Sequence, residues 1–146
     1  ALKEDIRIEP AGALQTTLED GLLSLDLPAP GEAARKGKLF VQPSHGWVAA
    51  FRDGQALVIR FNHQPRAAIH PAQGQVELYQ DANPAAPGKG MLEIEVHAPY
   101  VELAPGQTMK ASELWTILPY DGPATRDAHL AFLRRHAAQL GIDYAD

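Results

Sequence analysis

The chain has 146 residues, of which 45% are hydrophobic and 21% charged, a balance typical of a globular domain with its own core. The formal net charge of -5 argues against nucleic acid and anionic membranes as the main partners. Cysteine is absent, which excludes disulfides, thiol nucleophiles and cysteine-based zinc sites and leaves the compartment open between cytoplasm and periplasm or secretion. No membrane-spanning segment is predicted, since no run of about 18 apolar residues occurs.

Proline and glycine occur 12 times each and separate short apolar runs, a rhythm that predicts antiparallel β-structure. In chain order, the predicted strands are Ile6 to Ile8, Leu22 to Leu27, Leu39 to Val41, Trp47 to Phe51, Ala56 to Phe61, Val76 to Gln80, Leu92 to Val96 and Met109 to Leu118. Asp53-Gly54 predicts a tight hairpin turn between the fourth and fifth of these strands, because both residue types tolerate positive φ.

One α-helix is predicted near the end of the chain, from about Arg126 to Leu140, with Thr125 as its N-cap and Gly141 as its stop. We therefore expect an all-β protein, an antiparallel β-sandwich with one C-terminal α-helix, in a single domain over 1–146. Residues 1–37 would hold N-terminal strands and a loop, 38–118 the sandwich core, and 121–146 the helix and tail. The short basic run 35–38 is interpreted as part of a connection.

The alternating segment from Met91 to His97 carries the most suggestive chemistry. Glu93, Glu95 and His97 are spaced at i, i+2 and i+4, so a strand would point all three side chains from one face. Two carboxylates and an imidazole in a row suit general acid–base catalysis. The same pattern fits an ordinary solvent-facing strand, and the sequence alone leaves both interpretations open.

A second group of polar residues follows the predicted hairpin. Arg60, His63 and Arg66 stand at a strand end and in the loop after it, a place where such side chains often hold sugar hydroxyls, carboxylates or phosphates. Trp47 and Tyr79 are suited to stack on a sugar ring. The ordinary alternatives are a solvated loop and half-buried aromatic positions.

No motif indicates a metal, another cofactor or a nucleophile. A metal site built from His63, His70, His97 and a glutamate is conceivable, but the spacing matches no known ligand motif, so none is predicted. The few serines lie outside any nucleophile elbow, which argues against serine hydrolase chemistry.

From about Lys38 to Leu118 the chain resembles the C-terminal half of galactose mutarotase-like proteins, the superfamily of the aldose 1-epimerases, and their uncharacterised bacterial relatives. Three pieces in the same order carry the resemblance: Gly46 to Phe51 with Val58 to Phe61; Val76 to Asn83; and Leu92-Glu93 followed by Leu103-Ala104-Pro105-Gly106-Gln107 and a strand containing Trp115.

The resemblance implies a partial or minimised β-supersandwich with a concave face that binds a mono- or oligosaccharide. In the epimerases a glutamate of this closing block is the base on the anomeric hydroxyl; Glu93 corresponds to it here, and Glu95 is the competing position. The family's catalytic histidine has no counterpart in this chain, so enzyme activity is left open. The alternatives are a non-catalytic glycan-binding module and a structural module whose strand edges associate with a second copy or another chain.

Overall fold

The computed structural model describes residues 5–86 and 88–143. Nine strands occur in these residues: β1 (Ile6–Glu9), β2 (Gln15–Glu19), β3 (Leu22–Asp26), β4 (Arg35–Val41), β5 (Trp47–Arg52), β6 (Gln55–Phe61), β7 (Val76–Ala82), β8 (Met91–Val96) and β9 (Glu113–Pro119). A short 3-10 helix covers Arg66–Ala68, and the α-helix α1 covers Arg126–Leu140. The prediction of antiparallel β-structure with one C-terminal helix is confirmed, whereas the packing of the sheets into a sandwich stays a prediction.

The chain divides into two compact units, each made of two separate segments. The first unit contains Ala1–Ser44 and Gln64–Val101, and the second contains His45–His63 and Glu102–Asp146. The expected single domain stays a prediction. No helix in the described part of the chain combines the length and the apolar character needed to cross a membrane.

The first unit is built on a four-stranded antiparallel sheet in the order β1-β4-β7-β8. Apolar and polar residues alternate along its strands, so one face of the sheet carries mostly apolar residues and the other carries mostly charged ones. Leu39, Val41 and Val76 belong to the apolar face and are buried. This alternation leaves the opposite face free for polar chemistry.

The first unit also contains a hairpin of β2 and β3, of which the sequence predicts only the second strand. Its turn residues Asp20 and Gly21 have φ of 50° and 70°, the backbone of a tight two-residue turn. Asp-Gly is the same signal that predicted the turn at residues 53 and 54.

The second unit contains a three-stranded antiparallel sheet in the order β5-β6-β9, with α1 packed on it. The predicted hairpin turn is confirmed, since Asp53 and Gly54 have φ of 50° and 77°. Val58 on β6 is fully buried, and it forms the core of this unit with Leu133, Leu140 and Ile142. An apolar stripe on the helix therefore covers one face of the sheet.

Helix α1 begins and ends where its sequence predicts. The hydroxyl of Thr125 accepts a hydrogen bond from the Ala128 N–H, and Gly141 closes the helix in the left-handed conformation with φ of 63°. The guanidinium of Arg60 donates to the Gly141 carbonyl oxygen over 3.2 Å. This contact satisfies a carbonyl beyond the last turn and joins the helix end to β6.

Several predicted strand boundaries shift by one or two residues, and two strands, β4 and β9, begin further from their predicted starts. The run 35–38 belongs to β4 and not to a connection, so this strand begins at Arg35 and not at the predicted Leu39. Lys36 and Lys38 lie on the face of the sheet that carries mostly charged residues. Gly37 lies against the Glu9 carbonyl, to which a Cβ atom would approach within 2.9 Å. Strand β9 begins at Glu113 and not at Met109.

The imidazole of His129 on α1 is held in an aromatic cluster. It stacks on Phe51 with ring centroids 3.9 Å apart and planes 3° apart, and Tyr120 approaches it edge-on at 5.2 Å. Partial burial lowers the pKa of His129 below its ordinary value of 6.5. The neutral imidazole is therefore the form that the folded unit favours.

We expect the second unit to lose stability as the pH falls below about 6.5, because the unfolded chain then binds a proton at His129 that the folded state binds less readily. Above that pH the contribution is fully present. Urea denaturation at pH 7.5 and 5.5 checks this: the stability difference between the two pH values should be smaller in His129→Gln than in wild type. His136→Gln on the same helix is the control, and an equal reduction in both variants would contradict the assignment to His129.

Candidate functional site

One face of the four-stranded sheet in the first unit gathers charged side chains from all four strands. Residues that are directly paired across the strands share this face, which we call the charged face; it comprises Arg7, Glu9, Lys36, Lys38, Phe40, Glu77, Tyr79, Asp81, Met91, Glu93 and Glu95. Ion pairs run across it, among them Lys36–Asp81 at 2.8 Å. The guanidinium of Arg7 lies 3.7 Å from the centre of the Phe40 ring.

A buried carboxylate stands at the centre of the charged face. Only 2% of the Glu77 side chain is exposed, and its Oε2 receives a 2.7 Å contact from the Lys38 ammonium. Its Oε1 accepts a hydrogen bond from the Gly74 N–H over 3.1 Å. A buried carboxylate without partners is costly, and these two contacts give each oxygen of Glu77 a partner within the sheet.

Glu95 lies directly opposite Glu77 in the β7–β8 pairing, where two like charges would repel. The ammonium of Lys38 resolves this repulsion, because it also lies 2.8 Å from Glu95 Oε1. Lys38 is paired with Tyr79 and so approaches Glu77 from a diagonal position on β4. One cation thus bridges two neighbouring carboxylates.

His97 completes the group from the end of β8. Its backbone N–H donates to the Gln75 carbonyl over 2.8 Å, which continues the strand pairing by one step. Its Nε2 lies 3.4 Å from Glu77 Oε1 and 3.8 Å from Glu95 Oε2. Lys38, Glu77, Glu95 and His97 form a closed group, which we call the quartet.

Two opposing influences act on the pKa of Lys38. Burial lowers it, but the hydrogen bonds and charges of Glu77 and Glu95 outweigh burial, so the net pKa lies above the ordinary value of 10.5. Lys38 is therefore a fixed positive charge at neutral pH. It orients the carboxylates and does not act as a base.

Glu93 lies on the charged face, one pair along β8 from Glu95, and its side chain is exposed. The residue directly opposite is Tyr79. A hydrogen bond to Asp81 and a second one to Tyr79 raise the pKa of Lys36, so this lysine borders the same area as a cation. A carboxylate, a phenol and an ammonium are thus available to a ligand beside the quartet.

The other residues predicted to bind substrate lie elsewhere. Arg66 donates to the carbonyl oxygens of Ile69, His70 and Pro71, so its guanidinium fastens its own loop. Trp47, Arg60 and His63 belong to the second unit.

Two of those residues have identified structural partners. The Trp47 indole N–H donates to the Asp143 carbonyl over 3.2 Å, and Trp47 and Arg60 are directly paired across β5 and β6. The ligand roles of these two residues, of His63 and of Arg66 stay predictions.

Glu77 and Lys38 were not singled out from the sequence. A glutamate at a polar position of an alternating strand is ordinary. What sets Glu77 apart is its burial on β7, which lies between β4 and β8 in the sheet. Among residues 5–86 and 88–143, Glu77, Glu95 and His97 bring side-chain types that can ligate a metal together, with one potential ligand atom from each within 4.8 Å of the others. Of the histidines considered for a metal, only His97 belongs to this set; His70 instead contacts the Tyr100 ring.

The comparison with protein families matches residues 1–118 to a domain of unknown function, DUF4380. The chain belongs to the DUF4380 family. The matched segment contains every strand of the charged face, all members of the quartet and most of β9, and it ends before α1. Comparisons with curated proteins and with solved structures gave no match.

Proposed function

We propose that this DUF4380 protein binds carbohydrate on the charged face of its four-stranded sheet. The observation that carries the proposal is the quartet, in which a carboxylate with 2% of its side chain exposed is held by a lysine beside a second carboxylate and an imidazole. Charged side chains are rarely buried unless they are paired, and convergent polar groups of this kind are characteristic of ligand sites.

The groups around the quartet suit a polyhydroxylated ligand. Glu93 and Glu95 are acceptors for sugar hydroxyls, Lys38 is a donor, and the Tyr79 ring offers an apolar surface next to them. The resemblance to galactose mutarotase-like proteins supports the same ligand class. We propose with it the finer architecture, a partial or minimised supersandwich.

An aldose 1-epimerase-like isomerisation is the second candidate, favoured by the exposed carboxylate of Glu93 opposite Tyr79. In this reaction Glu93 removes the proton of the anomeric hydroxyl, and the bond between C1 and the ring oxygen breaks. Water protonates the ring oxygen, and the C1 carbonyl rotates. The ring then closes on the other face of the carbonyl, Glu93 returns its proton to the anomeric oxygen, and the ring oxygen returns its proton to the solvent. Glu95 is held by Lys38, which makes it the less accessible of the two glutamates.

A glycan array tests carbohydrate binding, and polarimetry with glucose and galactose tests the isomerisation. Wild type should bind at least one glycan, and Glu93→Gln should abolish any acceleration of mutarotation, with Glu102→Gln as the control at an exposed glutamate. Unchanged acceleration in Glu93→Gln would remove Glu93 from the mechanism. Binding without acceleration in wild type would leave a glycan-binding module, and a folded protein without any glycan ligand would contradict the proposal.

A module that associates with a second copy or another chain is the remaining alternative. It is favoured by β9, on which Leu114, Trp115 and Ile117 are more than half exposed. Light scattering on the samples used for polarimetry distinguishes it, because a mass of one chain would contradict self-association.

A further inference from the structure

Each carboxylate of the quartet places one oxygen beside Lys38 and the other oxygen nearest to His97. Glu77 turns Oε2 to Lys38 and Oε1 to His97, and Glu95 turns Oε1 to Lys38 and Oε2 to His97. Three atoms therefore converge on one point away from the ammonium: Glu77 Oε1, Glu95 Oε2 and His97 Nε2. We propose that these three side chains bind a divalent transition-metal ion of the Zn²⁺ class; this binding uses members of the quartet and does not depend on the carbohydrate proposal.

The distances between the converging atoms fit a common metal ion. Zinc holds imidazole nitrogen and carboxylate oxygen at about 2.0–2.2 Å, which places neighbouring tetrahedral ligand atoms about 3.4 Å from each other. His97 Nε2 lies 3.4 Å from Glu77 Oε1 and 3.8 Å from Glu95 Oε2. Small side-chain rotations would bring all three atoms to ligand distance.

The state of His97 Nε2 is an independent observation that points to a ligand. This nitrogen is buried and has no hydrogen-bond partner among residues 5–86 and 88–143. A protonated Nε2 that donated to Glu77 or Glu95 would shorten the separation to about 2.7–2.9 Å. Both observed separations exceed that range; the 3.4 Å separation from Glu77 matches the edge of a coordination polyhedron, and the 3.8 Å separation from Glu95 is longer than that edge.

The surroundings of the three ligands also fit a metal site. Lys38 and the Gly74 N–H hold the carboxylates from outside, as the supporting hydrogen bonds of a metal centre do. The group contains two carboxylates and one ammonium, and a divalent cation adds positive charge beside the carboxylates. One imidazole with two carboxylates suits zinc or manganese, whereas calcium requires six to eight oxygen ligands.

Isothermal titration calorimetry of the full chain with ZnCl₂, in the absence of sugar, tests the proposal. Wild type should bind one Zn²⁺ at this site, and Glu95→Gln and His97→Asn should each weaken binding at least about tenfold. Glu102→Gln and His136→Asn are matched controls, one exposed glutamate and one histidine of the second unit. Cobalt provides a second measure, because wild type with Co²⁺ should show the visible absorption of a four- or five-coordinate site and His97→Asn should lose it.

Affinity that is unchanged in Glu95→Gln and His97→Asn, or lost equally in His136→Asn, would overturn the proposal and leave a protonated His97 as the partner of the two carboxylates. Glu95 and His97 are partly exposed, so their variants should fold, which circular dichroism verifies. The calorimetry samples contain no carbohydrate, so the result does not depend on glycan binding. A failure of metal binding is thus distinct from a failure of glycan binding.

Discussion

Replacement of Lys38 by Met is expected to lower the free energy of unfolding by about 3 kcal/mol, because it leaves the charge of Glu77 buried without its cation. It also leaves Glu77 and Glu95 directly opposite each other with nothing between their charges. The side chain of Lys38 is 29% exposed, so water partly screens the loss and places it at the lower end of the range for broken buried pairs.

Urea denaturation of four proteins measures this coupling: wild type, Lys38→Met, Glu77→Gln and the double variant. The double variant should be more stable than Lys38→Met alone, since the buried charge has then been removed together with its partner. Lys36→Met, which breaks the exposed pair with Asp81, is the control and should lower the free energy of unfolding far less than Lys38→Met does. Equal losses in Lys36→Met and Lys38→Met would show that burial of Glu77 is not what makes Lys38 matter.

Gly74→Ala should destabilise the first unit by about 2 kcal/mol or more, because its Cβ would meet only backbone. The new atom would lie 2.5 Å from the Val41 nitrogen, 2.7 Å from the Val41 oxygen and 2.9 Å from the Val76 oxygen. None of these atoms moves without distorting the β4–β7 pairing. The displaced Gly74 N–H also donates to Glu77, so the quartet should be disturbed as well.

Thermal unfolding and zinc titration of the same variant separate the two effects. Gln73→Ala at the neighbouring position is the control, and it should keep a near wild-type midpoint and zinc affinity. A Gly74→Ala protein with an unchanged midpoint would mean that the loop before β7 has room that the structure does not show.

Local signals predicted those elements whose ends are fixed by special residues. The Asp53-Gly54 turn and the helix between Thr125 and Gly141 follow from backbone preferences that act within a few residues. The β2–β3 hairpin carries the same Asp-Gly signal at residues 20 and 21, but β2 reads Gln-Thr-Thr-Leu-Glu and lacks the apolar alternation of a strand. Its pairing with β3, and not its own pattern, makes it a strand.

The quartet was only half predictable for a related reason. Residues two positions apart in a strand point to the same face, so the sequence of β8 alone predicts that Glu95 and His97 share a face. Lys38 and Glu77 join them through the register between strands, and a single sequence does not contain that register. The sequence also predicts a connection at 35–38, because alternation is hard to recognise where a glycine occupies the inward face.

The second unit's hairpin, β5–β6, is inserted in the chain between β4 and β7, and this order has a kinetic consequence. Lys38 and Glu95 are 57 residues apart in sequence, so the side-chain contact between them closes a long loop. Topologies dominated by such distant contacts fold slowly for their size. During synthesis, β4 leaves the ribosome well before β7 and β8, and the Lys38 ammonium stays solvated until both of its carboxylates have been made.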